Sequence, residues 1–195
     1  MNVQHVNIKF YLKNPEAVNL SDFSAVFNSW IQKQALDEVL IDTADYLHVH
    51  HGPGLMLIGY EADYSLDHRA GRLGLLYNRK AQLNGTTQEK FFQAARAALT
   101  AAQKLEKENG LKFDGQEAQI IINDRLLVPN TPETFAALEA DLRAFFDAFY
   151  QGAAYSLSQA ADPRERFTVN VKAASSLDVN TLLKNLPVEE KAAHA

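Results

Sequence analysis

Two apolar periodicities alternate along this chain, and together they limit the folds that it can adopt. Residues 6–12 alternate apolar and polar side chains, a period of two that is typical of a β-strand with one buried face. Residues 23–31 instead repeat apolar side chains at steps of three and four, which predicts an amphipathic helix. The chain therefore mixes strands with helices.

The same patterns continue along the chain and predict the order β-α-β-β, then β-α, then β-α-β-β. The second helix begins at Thr86-Thr87-Gln88-Glu89, which has the pattern of a capping box. We expect an α+β fold with a single antiparallel-rich sheet of about seven strands and three main helices. The predicted strands cover residues 6–12, 39–50, 55–60, 73–77, 118–122, 154–157 and 167–171.

The first and last blocks of this order resemble each other in spacing. Ile8 and Ile120 are 112 residues apart, and so are Phe23 and Phe135. This offset predicts a tandem β-α-β-β pseudo-repeat, for which the alternative is chance similarity. We expect one α+β domain and a flexible tail, with two sub-units inside the domain. The corresponding ranges are 1–187 for the domain, 188–195 for the tail, and 1–80 and 81–175 for the sub-units.

The composition excludes several classes of chemistry. The chain has no cysteine, so disulfides, thiolate catalysis, zinc ribbons and iron–sulfur clusters are ruled out. No apolar run approaches the roughly 20 residues of a membrane span, and no signal peptide is recognisable. We therefore expect a soluble, cytoplasmic protein that does not bind a membrane. The formal net charge of −5 argues against nucleic acid as a partner.

Residues 45–80 are the first place to seek a functional site, because they contain four of the six histidines. If residues 39–50 form a strand, His48 and His50 lie on one face, roughly 6–7 Å apart. That separation suits two ligands of one divalent metal ion, Zn, Mn or Fe, with Glu61 as the third ligand. Whether Glu61 reaches them depends on the strand register of the 45–62 hairpin, which the sequence leaves open.

Two alternatives to a metal site remain open for this hairpin. Its histidines could lie on a partly exposed sheet face, where neighbouring side chains and water satisfy them. The hairpin could instead form a metal-free pocket, in which glycines leave room for a small molecule and aromatic rings line the walls. The side chains expected to bind that ligand are Tyr46, His48, His50, Tyr60, Glu61, Tyr77 and Arg79.

A short basic cluster lies at the end of this region. Arg69, Arg72, Arg79 and Lys80 follow one another closely, with Tyr77 among them. Charged side chains commonly keep the edge of a sheet solvated, and this is the simpler interpretation of the cluster. The alternative is a patch that attracts anions or nucleic acid.

No motif in the sequence specifies one reaction. The segment 52–54 is not a phosphate-binding loop, and no Gly-x-Ser-x-Gly nucleophile motif is present. The leading hypothesis is a non-catalytic module that binds a small molecule or another protein. A metal-dependent hydrolase that uses His48 and His50 is one alternative, and a structural homodimer is another.

Overall fold

The alternating segment at the start of the chain becomes a central strand of an antiparallel sheet. The computed structural model describes residues 1, 3–50 and 52–187, and eight strands of this range form one sheet. In chain order they are β1 (Val6–Leu12), β2 (Leu40–Tyr46), β3 (Gly54–Gly59), β4 (Ala62–Asp67), β5 (Gly74–Arg79), β6 (Phe113–Ile122), β7 (Tyr155–Gln159) and β8 (Phe167–Ala173). Their spatial order is β2-β3-β4-β5-β1-β6-β8-β7, and each neighbouring pair is antiparallel.

All of the α-helices in the described ranges pack on the same face of this sheet. They are α1 (Phe23–Lys33), α2 (Thr87–Asn109), α3 (Pro132–Tyr150) and α4 (Val179–Asn185). Their buried side chains join those of alternate strand residues, such as Ile8 and Ile120, in one apolar cluster. The opposite face carries no α-helix, yet its side chains on β1, such as Asn7 and Lys9, are buried as well, so the expectation of a single buried face is wrong for this strand. None of the helices in the described ranges is long and apolar enough to cross a lipid bilayer.

The capping box predicted at the start of α2 is confirmed. The Thr86 hydroxyl accepts the Glu89 N–H at 3.2 Å, and the Glu89 carboxylate accepts the Thr86 N–H at 2.7 Å. Two backbone donors that lack helical partners are thereby satisfied. Local hydrogen bonds therefore fix the first turn of α2, and the helix packs against β1 and β5.

Aromatic rings of α3 form the centre of the core. The ring of Phe145 lies 5.8 Å from that of Phe91 and 5.3 Å from that of Phe149, and Phe149 stacks on Phe10 of β1 at 6.0 Å. All four side chains are almost completely buried. Such rings stabilise a core through the large apolar area that they remove from water. This cluster therefore joins α2, α3 and the central strand.

The α+β class and the single antiparallel sheet are confirmed, but the predicted element counts are too low. Within the described residues the sheet has eight strands where about seven are expected, and there are four α-helices where three main helices are expected. The additional strand is β4, in which Asp63, Ser65 and Asp67 alternate with apolar residues. Because those polar side chains lie on the helix-free face, the segment lacks the apolar run that marks a fully buried strand. The additional helix, α4, begins where the Asp178 carboxylate accepts the Thr181 N–H at 2.9 Å.

The strands of both predicted sub-units form one continuous sheet, because β1 lies between β5 and β6. Ile8 and Ile120, equivalent in the predicted repeat, face each other across β1 and β6. The hairpin β4–β5 separates β3 from β1, whereas β8 pairs directly with β6. The tandem repeat and the domain boundaries stay predictions. The predicted tail, 188–195, lies outside the described residues.

We expect Phe145→Ala to lower the free energy of unfolding by about 3–5 kcal/mol, because it removes a buried ring from the aromatic cluster and leaves a cavity. Chemical denaturation of the purified variant measures this loss. Leu126→Ala is the control, since the Leu126 side chain is 89% exposed and the change should stay within about 0.5 kcal/mol. Equal losses in the two variants would contradict the packing described for α3.

Candidate functional site

The histidines expected on the second strand lie instead in a loop. β2 ends at Tyr46, and residues 47–53 connect it to β3, so the prediction that the strand continues to His50 is wrong. The chain turns here because the Tyr46 carbonyl accepts the Val49 N–H at 3.0 Å, a local bond that competes with strand pairing. His48 and His50 are both exposed. They no longer share a strand face that would aim both imidazoles at one ion.

Glu61 lies at the other end of β3 from this loop. Tyr46 pairs with Gly54, and Glu61 falls in the two-residue turn between β3 and β4, which fixes the register that the sequence leaves open. Six strand residues at ~3.3 Å each separate Glu61 from the loop by roughly 20 Å. The structure therefore does not bring His48, His50 and Glu61 together. Within the described ranges, no group of three or more His, Asp or Glu side chains is arranged to hold a metal ion.

Three of the predicted ligand-binding residues do meet on the helix-covered face. Glu61, Tyr77 and Arg79 line a cavity of about 270 Å³, and Tyr64 joins them. We call this cavity the tyrosine pocket. The other predicted residues lie elsewhere: Tyr46 on the edge strand β2, His48 and His50 in the loop, and Tyr60 with its side chain 73% exposed. His51 lies outside the described residues.

A larger cavity, of about 470 Å³, opens on the helix-free face of the sheet. Its wall carries two carboxylates, Asp67 and Glu165, so that positive charges exceed negative ones by three. This excess stands out in a chain whose formal net charge is −5. We call the cavity the cationic basin, after the five basic side chains that line it: Lys9, Arg69, Arg72, Arg125 and Arg166.

The floor of the cationic basin contains a buried ion pair. Lys9 Nζ lies 2.6 Å from Asp67 Oδ1, and both side chains are almost completely inaccessible. Lys9 belongs to β1 and Asp67 to β4, so the lysine must cross β5 to reach its partner. It crosses at Gly74, where an added Cβ would lie 3.1 Å from Lys9 Cε. Burial lowers the pKa of Lys9 below its ordinary value, and the attraction of Asp67 opposes that shift.

Arg72 and Tyr11 form one wall of the basin. The Arg72 guanidinium lies 3.7 Å from the centre of the Tyr11 ring, and its Nη2 is 2.6 Å from Glu117 Oε2. A guanidinium held by a carboxylate while it stacks on a ring has little freedom to change orientation. Burial also raises the pKa of Tyr11, so this phenol stays protonated at neutral pH. Tyr11 therefore acts here as a neutral platform for the guanidinium.

Two guanidinium groups of the basin lack a carboxylate of their own. Among the described residues, no Asp or Glu oxygen lies within 4 Å of Arg125 or Arg166. Burial lowers the pKa of Arg166, repulsion from Arg69 and Arg125 adds to that effect, and the attraction of Asp67 and Glu165 opposes it. The electrostatic free energy of a cation with these neighbours becomes more favourable when an anion enters the cavity. This arrangement is the clearest chemical signal in the described part of the molecule.

The basic cluster predicted from the sequence is divided by the fold. Arg69 and Arg72 lie in the cationic basin, whereas Arg79 lies in the tyrosine pocket on the opposite face. Lys80 binds Asp63, with 2.7 Å between Nζ and Oδ1. The other cations of the basin come from β1, from the turn after β6 and from the residue before β8, which are far apart in the chain. Lys9 carries a weak sequence signal, because it is a polar residue of an alternating strand.

Comparisons with known proteins add no constraint. No protein-family model matches the chain. No curated protein is similar enough in sequence to be counted as a relative. We therefore infer the function from the chemistry of the two cavities.

We expect Lys9→Met to lower the free energy of unfolding by about 3 kcal/mol, because it leaves the Asp67 carboxylate buried without its nearest cation. The double variant Lys9→Met with Asp67→Asn should recover most of this loss, since no buried charge then remains. Urea denaturation measures both.

Lys172→Met serves as the control for the same chemical change at an exposed ion pair with Glu117, and its effect should stay within about 0.5 kcal/mol. A double variant as unstable as the single one would contradict the described ion pair.

Proposed function

We propose that the chain is a non-catalytic module that binds a small, multiply charged anion in the cationic basin. The observation that carries this proposal is the pair Arg125 and Arg166, two guanidinium groups without carboxylate partners among the described residues, beside one cavity. A cytoplasmic location belongs to the same proposal, because a sequence without cysteine suits a reducing compartment.

The basic side chains indicate the chemical class of the ligand. Four of the five are arginines, whose planar N–H groups match the oxygens of phosphates and carboxylates. The lining carries an excess of three positive charges, of which the Glu117 carboxylate beside Arg72 offsets one, and the remaining excess of two favours a ligand with more than one negative charge. We therefore expect a phosphate ester, a diphosphate or a polycarboxylate.

The size of the basin supports a metabolite rather than a polymer. A volume of about 470 Å³ lies within the range of small-molecule sites. Leu76 and Ile121 on the floor offer a surface for an uncharged part of the ligand, and Gln119 and Thr168 add polar groups. An extended nucleic acid would meet the overall negative charge of the chain outside the basin.

The other hypotheses from the sequence stay predictions. The metal-dependent hydrolase relied on His48 and His50, which the described structure places on an exposed loop away from Glu61. A protein partner and a homodimer have no specific contact among the described residues in their favour. The anion-binding proposal is the one that the described charges support.

Pyrophosphate is a suitable probe, and isothermal titration calorimetry at low ionic strength should detect its binding. Arg166→Gln should weaken binding by about tenfold or more, because it removes a charged hydrogen-bond donor from the basin. The affinity of the unchanged protein should fall as salt is added, since the attraction is electrostatic. Titration with citrate distinguishes a phosphate ligand from a polycarboxylate.

The matched control is Arg164→Gln, which makes the same change two residues away. Arg164 is 88% exposed, pairs with Asp162 and does not line the basin, so its variant should bind pyrophosphate within about twofold of the unchanged protein. If neither pyrophosphate nor citrate binds at millimolar concentration, or if both arginine variants lose the same affinity, the proposal is wrong.

A further inference from the structure

The tyrosine pocket lies on the opposite side of the sheet from the cationic basin. Tyr64 and Tyr77 face each other across β4 and β5, and Tyr77 pairs with Ile8, whose side chain belongs to the helix-covered core. Residues one position along these strands, Ser65 and Leu76, lie on the other face. The two cavities share no lining residue. Any ligand of the tyrosine pocket is therefore independent of the proposed anion.

Two buried phenols form the floor of the tyrosine pocket. The rings of Tyr64 and Tyr77 meet edge to face, with 5.2 Å between their centres, and both side chains are nearly inaccessible. The Tyr77 hydroxyl accepts a hydrogen bond from Gln93 Nε2 at 3.0 Å. For the Tyr64 hydroxyl, the described residues provide no hydrogen-bond partner. This hydroxyl is not among the fully buried polar atoms that lack a partner, so it is open to the cavity, where it can donate to a ligand.

Burial raises the pKa of both phenols above the ordinary value. Both hydroxyls therefore keep their protons at neutral pH. The Tyr77 hydroxyl already donates to Gln93 Oε1 at 3.4 Å, so the Tyr64 hydroxyl is the donor available to a ligand. The acceptor that a phenol binds most strongly is an ionised oxygen. The floor of the pocket thus favours an anionic group over an ammonium.

Arg79 provides the cation beside this floor. Its side chain is 10% exposed, and Nη1 lies 2.8 Å from Glu61 Oε2, while Nε donates to the Ala81 carbonyl at 3.1 Å. Glu61 is half-exposed on the turn between β3 and β4, at the rim of the pocket. The chain thus places one of its own carboxylates on Arg79, and this group shows which chemistry the guanidinium binds. An exposed internal partner of this kind is exchangeable with a ligand carboxylate.

Two further carboxylates, Asp37 and Glu38, line the tyrosine pocket, and that of Glu38 is already occupied. Glu38 accepts the backbone N–H groups of Glu61 and Ala62, and so holds the turn in place. Gly59 leaves the space for it, because an added Cβ there would lie 2.6 Å from Glu38 Oε1. Glu38 therefore fixes the position of Glu61 rather than neutralising Arg79.

From these contacts we infer that the tyrosine pocket binds a small monocarboxylate with an apolar or aromatic body. The carboxylate would accept from the Tyr64 hydroxyl and from Arg79, displacing Glu61. The apolar body would contact Leu36, Leu83 and Ala97, which line the same cavity. A volume of about 270 Å³ limits the ligand to a compact molecule.

Benzoate tests this inference, with neutral benzamide as its isosteric control, in calorimetric titrations of the full chain. Benzoate should bind at least tenfold more tightly than benzamide, because only the acid carries the charge that Arg79 attracts. Tyr64→Phe keeps the ring and removes the donor, and should weaken benzoate binding by about tenfold. Tyr60→Phe removes a hydroxyl from an exposed residue outside the pocket lining and should have no effect.

Glu61→Gln should change the affinity for benzoate in the opposite direction to Tyr64→Phe. Removing the internal carboxylate releases Arg79, so benzoate should bind several-fold more tightly, whereas a purely structural role for Glu61 predicts weaker or unchanged binding. Thermal melting of each variant establishes that it is folded.

The two proposed sites can fail separately. Tyr64→Phe should leave pyrophosphate binding unchanged, and Arg166→Gln should leave benzoate binding unchanged. No benzoate binding at millimolar concentration, equal affinities for benzoate and benzamide, or an unaltered affinity in Tyr64→Phe would overturn the monocarboxylate site and leave the anion-binding proposal intact.

Discussion

The central strand β1 is hydrogen-bonded on both edges, and all seven of its residues are buried. Such a strand is shielded from water on both faces, so the polar side chains that it carries depend on partners within the protein. Both polar side-chain atoms of Asn7 lack a hydrogen-bond partner among the described residues. Ile8 and Phe10 enter the helix-covered core. Lys9 lies on the helix-free face, where Asp67 neutralises it. The buried lysine at the floor of the cationic basin is thus a consequence of burying an alternating strand on both faces.

A buried ion pair of this type is weak evidence for stability, because removing two charges from water costs about as much as their attraction returns. The clearer effect of the ion pair is to hold neighbouring segments of the chain in position. Lys9 reaches Asp67 only over Gly74, and Asp67 also receives the backbone N–H of Arg69 at 3.2 Å. Three segments of chain are thereby held around one carboxylate. The remaining arginines lie around this neutral pair, so it is their charges that make the field of the basin positive and favour an anion.

The strands β4 and β5 supply side chains to both cavities. In each strand, successive residues alternate between the face covered by helices and the face without them. A slip of one residue in their pairing would therefore move Tyr64 and Tyr77 out of the tyrosine pocket and expose them. The observed register, with Tyr64 opposite Tyr77 and Asp67 opposite Gly74, is the one that serves both sites. The two proposed ligands depend on the same hydrogen-bonded ladder but not on the same side chains.

The sequence by itself determined the features that local physics controls. The alternation of residues 6–12, the capping box at Thr86 and the apolar stripes of the helices depend on backbone geometry and neighbouring side chains, and the structure contains each of them. The histidine strand was mispredicted because one turn hydrogen bond, from Val49 to Tyr46, competes with strand extension. The periodicity of side chains does not reveal such a backbone bond.

Glu61, Tyr77 and Arg79 were foreseen as candidates because they lie close together in the chain. Their pocket and the cationic basin were decided only by the tertiary structure. The basin collects Lys9, Arg125 and Arg166 from strands and turns that are spread over more than 150 residues of the chain. Which of these cations meet depends on strand order and register, and these follow from long-range packing of the whole sheet rather than from any local pattern.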